Sequence, residues 1–489
     1  MSRENNVKPK KEIKFIHAVI PVLTLFTIII YGMVIRPQVF NQPSLPLELV
    51  FIFSSIVTIV ELFYLGFGWD EIQKSIIKKT GEALPAFYLL FSIGLIIGSW
   101  VISGTIPMFV YYGIKLINPS FLYAVAFILA AIFSLLTGTS WGSAGTIGIV
   151  LMGVGQAVDA NLAVLAAAVI GGSYFGDKMS PLSDTTNMAA LGAGTNLYDH
   201  IQSMIYTTGP SFIIASVLYI IMGKVYPAAS ADASHLVQPT LDALRSSFNF
   251  NILLLLPPVI VLLGAMKKKP SLPTLIASVI VASVISVTLQ DFTLTDLFQT
   301  LYKGFNAEMI TGVNTIPDNV VAILNRGGVY SLSEAVVITF MVFIYIGSIE
   351  MIGAMQVVVN RLFRFVRTRR ATILASLISS SLVNGTTSNQ YATSFIVGDA
   401  FKYKYDKLGI PRKVLSRSIE DYGTFIEPML PWTTTGIYMV ATLGVAYGEY
   451  LPFMFLQITN FIIAPLLAIT GIGCFYDKSR LSENQELGG

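Results

Sequence analysis

Asp177, Asp184 and Glu427 stand in segments otherwise built of apolar and small residues, each within four positions of a proline. The first two lie in the run Gly176-Asp-Lys-Met-Ser-Pro-Leu-Ser-Asp-Thr-Thr-Asn187. The third lies in Glu420-Asp-Tyr-Gly-Thr-Phe-Ile-Glu-Pro-Met-Leu-Pro-Trp-Thr-Thr-Thr435. Proline has no amide donor and clashes with the preceding turn, so helices break at Pro181, Pro428 and Pro431. A break frees carbonyl oxygens on one side and amide donors on the other, with dipole ends aimed into the gap. Ser180, Ser183, Asp184 and Asn187 are spaced by about one helical turn and can share a face. Hydroxyls, carbonyls and carboxylates together form the hard oxygen shell that suits a small cation such as sodium.

Two further polar clusters interrupt apolar sequence: Gly138-Thr-Ser-Trp-Gly-Ser143 and Asn384-Gly-Thr-Thr-Ser-Asn-Gln390. An ionisable group near the centre of a bilayer costs roughly 2.5–3.5 kcal/mol even on lenient scales. The competing reading is that Asp177 and Lys178 sit at a helix end or pair only for folding. A buried carboxylate favours its proton, and a bound cation displaces that proton. Sodium and protons then compete for the same oxygens, which suffices for exchange at a site opened to alternate faces. With two carboxylates, two protons can exchange for one sodium, and each net charge moved is worth roughly 2.3 kcal/mol per 100 mV.

Other groups read as structural. Glu61 and Glu350 fall near predicted helix ends, where snorkelling or salt pairing accounts for them. His17, His200 and His235 form no metal-ligand spacing, and a pH-sensing role for His200 is the one alternative. Trp141 and Trp432 either wall a substrate cavity or simply pack. The Arg361–Arg370 cluster suits an interfacial helix on anionic lipid. No nucleophile–base pair or phosphate-cradling loop occurs, so enzymatic activity has no support.

The elements that must position these groups follow from composition. Of 489 residues 54% are hydrophobic and 12% charged, whereas soluble domains are about a quarter charged. Segments 15–36, 45–67, 84–105, 160–195, 203–224, 249–266, 271–290, 332–352, 413–447 and 453–475 read as about ten helical spans of a roughly 30 Å hydrocarbon core. Segments 119–157 and 371–400, interrupted by the polar clusters, read as two re-entrant hairpins, tolerated at depth only where protein or a polar cavity surrounds them. Short alternating segments of a β-barrel are absent. The single Cys474 excludes an internal disulfide, and a formal charge of +3 gives no support for a nucleic-acid partner.

With the N-terminus inside, segments 1–14, 69–83, 267–269, 361–370, 402–417 and 478–489 are cytoplasmic and carry 24 of the 31 Lys and Arg, as positive-inside placement requires. The basic N-terminal stretch leads into a segment too long for a signal peptide and without a cleavage site, so it is read as the first retained helix. The organisation expected is a cytoplasmic segment 1–14, a transport domain 15–475 and a cytoplasmic tail 476–489. The transport domain repeats. Gly138-Thr139 and Thr146 match Gly385-Thr386 and Thr393, and Gly176 and Pro181 match Gly423 and Pro428, all 247 residues apart; Gly98-Ser99 and Gly104 match Gly347-Ser348 and Gly353 at 249. Five spans between equivalent points make the second half (about 249–475) inverted relative to the first (about 15–224), the arrangement of many secondary transporters.

The runs Gly138-Thr-Ser-Trp-Gly, Tyr174 to Asn187 and Thr207-Thr-Gly-Pro210 closely resemble the NhaC sodium/proton antiporter family of bacteria, and the runs around Asn384 and Glu427 look like the same family. The resemblance covers about residues 15 to 475. It implies an all-α polytopic membrane protein of two inverted repeats, with sodium and protons as transported ions and no cofactor. It implies ion-site residues Thr139, Ser140, Asp177, Ser180, Asp184 and Asn187, with Asn384, Thr386, Glu427 and Thr433 in the second half. Trp141, Lys178, Ser388, Asn389 and Trp432 are candidates for lining the substrate path. The family also includes malate/lactate exchangers, so small organic acids are the alternative cargo; a passive channel and a receptor are the alternatives of other classes. A bacterial inner membrane, with both termini cytoplasmic, and a homodimer are expected.

Overall fold

The structure, a computed structural model, describes residues 11–228, 234–267, 269–311 and 316–476. The described residues are helical throughout their regular structure, without a strand. In chain order the helices of eight residues or more are α1 (Phe15–Val39), α2 (Leu47–Leu65), α3 (Trp69–Glu82), α4 (Leu84–Ile102), α5 (Thr105–Leu116), α6 (Leu122–Thr137), α7 (140–157), α8 (Leu162–Met179), α9 (Asp184–Ala193), α10 (Leu197–Val225) and α11 (Ser234–Ser247). There follow α12 (Leu256–Met266), α13 (Ser271–Thr288), α14 (Leu294–Lys303), α15 (Ser333–Glu350), α16 (Ala354–Leu362), α17 (Arg369–Thr387), α18 (Gln390–Lys407), α19 (Arg412–Ile419), α20 (Thr434–Leu443) and α21 (Phe455–Thr470). Eight helices among the described residues are long and apolar enough to cross a membrane, or ten if each sharply bent pair counts as one span. The protein is a multi-pass membrane protein.

The interior is polar for so apolar a chain. Serines and threonines are buried along α2, α8, α10 and α17, many donating to the carbonyl four residues back, as Ser54 does to Val50 and Ser380 to Ser376. That bond lets a hydroxyl sit where water is absent without leaving a donor unsatisfied. Large aliphatic side chains such as Ile56, Val60, Ile213 and Ile280 are exposed instead, as a lipid-facing surface requires.

The chain breaks its helices at matched places. Left-handed backbone occurs at Gly104 and Gly353, at Gly138 and Ser388, at Asp159 and Gly409, and at Gly194 and Gly444. The first pair is 249 residues apart and the other three are 250 apart. These turns are spaced by 249–250 residues, not by the 247 of the Gly-Thr identities. Pro181 corresponds to Pro431 rather than Pro428, and Gly138 corresponds to Ser388 rather than Gly385. Short apolar motifs rich in Gly and Thr align by composition, whereas turns are fixed by where the backbone must reverse.

Other boundaries also shift. The span expected at 84–105 ends at Ile102, and Gly104 starts a separate helix, α5. Segment 249–266 holds the helical piece Ile252–Met266, whose start Asn251 caps through Leu253 N, and Gln238–Ser247 meets it at 101°. The Arg361–Arg370 cluster links α16 to α17 rather than forming one helix, because Thr368 accepts from Ala371 N and starts α17 afresh. Glu61 lies 3.2 Å from His17 Nδ1 and Glu350 pairs with Lys79 at 2.6 Å, salt pairing being one of the two roles read from sequence.

Each half reaches into the other. In the first half α9 crosses α18, closely enough that a Cβ on Gly398 would stand 2.1 Å from the carbonyl oxygen of Gly192. In the second half α20 lies on α7, with Tyr438 stacked on Trp141 at 4.3 Å and donating to its carbonyl at 2.7 Å. The far part of each broken helix thus rests on the other half's hairpin, which brings both breaks and both tips to one place.

Candidate functional site

Four helix starts meet there. Thr139, Ser183, Asn389 and Thr433 cap α7, α9, α18 and α20, accepting from the amides of Gly142, Thr186, Ala392 and Gly436 at 3.2, 3.3, 3.0 and 3.0 Å. The remaining first-turn amides carry the positive ends of the helix dipoles. They surround a cavity of about 610 Å³ whose wall includes Thr139, Ser140, Trp141, Asp177, Asp184, Thr185, Ser388, Asn389, Gln390, Tyr391, Thr424, Glu427, Thr434 and Thr435. Glu82, Lys269 and Ser271 line it too and are exposed, so the cavity opens at the ends of α3 and α13.

Glu427 is held from three sides. Asn384 Nδ2 donates to Oε1 at 2.8 Å, and the hydroxyls of Thr435 and Tyr174 donate to Oε2 at 2.9 and 3.4 Å. Trp141 Nε1 donates to Thr435 Oγ1 at 3.2 Å, so the tip of the first hairpin is tied to the Glu427 cage of the second half. Asp177 is 3% exposed, and its Oδ1 has no hydrogen-bond partner among the described residues. Ser140, Ser183 and the Asp184 carboxylate are its neighbours. Asp184 is exposed to the cavity and accepts from the Tyr391 hydroxyl. Asp177 and Glu427 are 250 residues apart, the register of the backbone breaks, and so occupy equivalent positions beside the two breaks.

Of the residues singled out from sequence, Thr139, Ser140, Trp141, Asp177, Asp184, Ser388, Asn389 and Glu427 line the cavity. The others do not line it and serve it from behind. Asn384 holds Glu427. Ser180 donates to Leu135 O at 2.8 Å and accepts from Leu182 N, shaping the first break. Asn187 donates to the carbonyls of Pro181 and Ser183 in the same break. Thr433 donates to Glu427 O at 2.5 Å and shapes the second. Thr386 bonds back to Leu382 O within α17, and Trp432 donates to Gly385 O at 2.7 Å while its ring meets Phe26 edge-on. Lys178 points away from the cavity, toward Glu420 and Asp421.

Sequence reading missed Thr185, Gln390, Tyr391, Thr424, Thr434 and Thr435 in the wall, and Tyr174 behind it. The 250-residue register was the available signal: it pairs Asp177 with Glu427 and Thr185 with Thr435 directly.

An all-helical membrane protein whose broken helices and hairpin tips enclose a carboxylate-lined cavity belongs to the class of secondary transporters. The family model for the Na+/H+ antiporter family matches residues 172–472. An uncharacterized Na(+)/H(+) antiporter of Haemophilus influenzae is 40% identical over 430 residues, 88% of this chain and 92% of that protein. The Na(+)/H(+) antiporter NhaC of Alkalihalophilus pseudofirmus is 33% identical, covering 90% and 92%. The malate-2H(+)/Na(+)-lactate antiporter of Bacillus subtilis is 30% identical, covering 95% and 98%. This chain belongs to the Na+/H+ antiporter family, and the NhaC resemblance carried by its motifs holds over most of its length.

Proposed function

We propose that this protein exchanges sodium for protons by alternating access, with Asp177 and Glu427 as the groups over which the two ions compete. The observation that carries this is their placement: equivalent positions in the two halves, both buried, both in the wall of one cavity. Ionised carboxylates out of water need a counter-charge. In this cavity that charge is either a sodium ion, coordinated with the hydroxyls of Thr139, Ser140 or Thr435, or protons on the carboxyls themselves. One occupant excludes the other, and exposing the site to opposite faces in turn then couples the two gradients.

The transport domain spans 15–475, its halves 15–224 and 249–475 inverted. Both termini are cytoplasmic in a bacterial inner membrane. At the cavity mouth Glu82 and Lys269 belong to segments read as cytoplasmic, and Ser271 begins the span that follows, so the conformation is open to the inside.

A second reading rests on a specific feature. Four convergent helix starts and about 610 Å³ of space would also accept a small organic carboxylate, since helix N-termini favour anions. Against it, the only basic side chain in the wall among the described residues is Lys269, at the exposed mouth. Purified protein in liposomes holding a pH-sensitive dye separates the readings. Proton movement on adding sodium alone, lost in Asp177→Asn and weakened less in Asp184→Asn, is expected. Silence until malate and lactate are supplied would overturn simple sodium/proton exchange in favour of the organic acid.

A further inference from the structure

Behind the cavity wall lies a second buried charge cluster that ion binding at Asp177 and Glu427 does not use. Lys178 Nζ donates to the Glu420 carbonyl at 3.0 Å and to Asp421 Oδ1 at 3.4 Å, and lies 3.4 Å from the centre of the Phe425 ring. Thr207 donates to the same Asp421 oxygen at 3.1 Å. Lys178, Glu420 and Asp421 are each 0% exposed. Lys178 neutralises one carboxylate, and its bond goes to Asp421. Among the described residues the Glu420 carboxylate has no ion pair of its own. Its Oε2 has no hydrogen-bond partner among the described residues, and neither has the buried Thr424 hydroxyl one helical turn further on. An ionised carboxylate in that state is costly. A protonated one is not, because its O–H supplies the donor that a carboxylate lacks.

Glu420 is also connected to the cavity. Thr185, in the cavity wall, donates to Glu420 Oε1 at 3.5 Å, and Thr424 lines the same wall. The charged groups acting on Glu420 are Lys178 and Asp177 from α8 and Asp421 from its own turn. Asp177 is therefore within electrostatic reach of both sites.

We propose that Glu420 is a further proton carrier of the exchange cycle, placed behind the cavity wall and reached through the hydroxyl of Thr185. It rests on the sodium/proton reading. When sodium occupies Asp177, its charge favours ionised Glu420. The carboxyl proton passes to the Thr185 oxygen while the Thr185 hydroxyl proton leaves to cavity water, so one proton departs and one negative charge appears, offset by the sodium ion. When sodium leaves, the sequence runs backward. Lys178 keeps Asp421 compensated throughout, which confines the change to one carboxyl.

The number of protons moved per sodium tests this. It is read in liposomes from the pH difference that just halts sodium flux at a series of sodium gradients. Glu420→Gln is expected to lower the ratio by one proton per sodium while leaving isotopic sodium/sodium exchange within a few-fold of the unaltered protein. Normal exchange with an unchanged ratio overturns this proposal alone. No sodium-driven proton movement by the unaltered protein overturns the antiport reading and this one with it. Should Glu420→Gln fail to reach the membrane, Glu420→Asp keeps a titratable group. Infrared difference spectra on sodium addition should then show loss of a protonated carboxyl band in both proteins, at a frequency shifted in the aspartate form. A band that does not move refutes Glu420 as its source.

Discussion

At the scale of single residues, the two cavity carboxylates are held differently and should respond differently. Glu427 is caged by donors from Asn384, Thr435 and Tyr174, whereas Asp177 keeps a free oxygen. Groups that orient a ligand-bearing side chain commonly matter by about tenfold or more in affinity when lost. Asn384→Ala is accordingly expected to weaken apparent sodium affinity roughly tenfold with exchange still detectable, whereas Asp177→Asn abolishes it. Equal effects of the two substitutions on sodium titrations of proton flux would count against this division. The sequence signalled both carboxylates through prolines nearby, yet offered nothing to say that Asn384 bonds Glu427 rather than an ion. A side-chain amide suits either role, and its partner comes from another helix.

At the scale of elements, the site exists because the two halves interlock. Gly398 lies against the Gly192 carbonyl where α18 crosses α9, leaving no room for a Cβ. Overpacking of that kind costs about 1–3 kcal/mol. Gly398→Ala should lower the melting temperature in detergent and slow exchange, since α9 carries Asp184 and Thr185 into the cavity. Thr433 is a milder probe. It caps α20 through Gly436 N and ties down the Glu427 carbonyl. Loss of such a cap costs about 1 kcal/mol, so Thr433→Ala should shift sodium affinity more than stability. Hairpins and breaks were legible from Gly, Pro and polar clusters within apolar runs. The short helices α5 and α16 were not, because twelve and nine residues fall below the length at which apolar periodicity marks a span.

At the scale of the molecule, the cavity opens at one end, and that defines a state. Single cysteines at Ser140, in a background where Cys474 is replaced by serine, should react with an impermeant thiol reagent applied from the Lys269 side and be protected by sodium. Labelling from the opposite side alone would reverse the assigned orientation. If more than one proton exchanges for each sodium, the cycle carries net charge, and a sodium gradient should drive current across a membrane held at fixed voltage. Absence of current with intact exchange would mean one proton for one sodium.

The amino-acid sequence by itself determined that this is a helical membrane protein, that its helices break near Pro181 and Pro431, and that carboxylates lie at those breaks. These are local consequences of hydropathy, of a missing amide and of the cost of charge in hydrocarbon, and each can be read within a few residues. The tertiary structure decided which carboxylates share a cavity. It paired Asp177 with Glu427 across 250 residues, turned Lys178 away toward Asp421, and set Glu420 behind Thr185. Those outcomes depend on how α9 rests on α18 and α20 on α7. Contacts between helices distant in the chain depend on shape complementarity summed over many side chains, and no single motif records them.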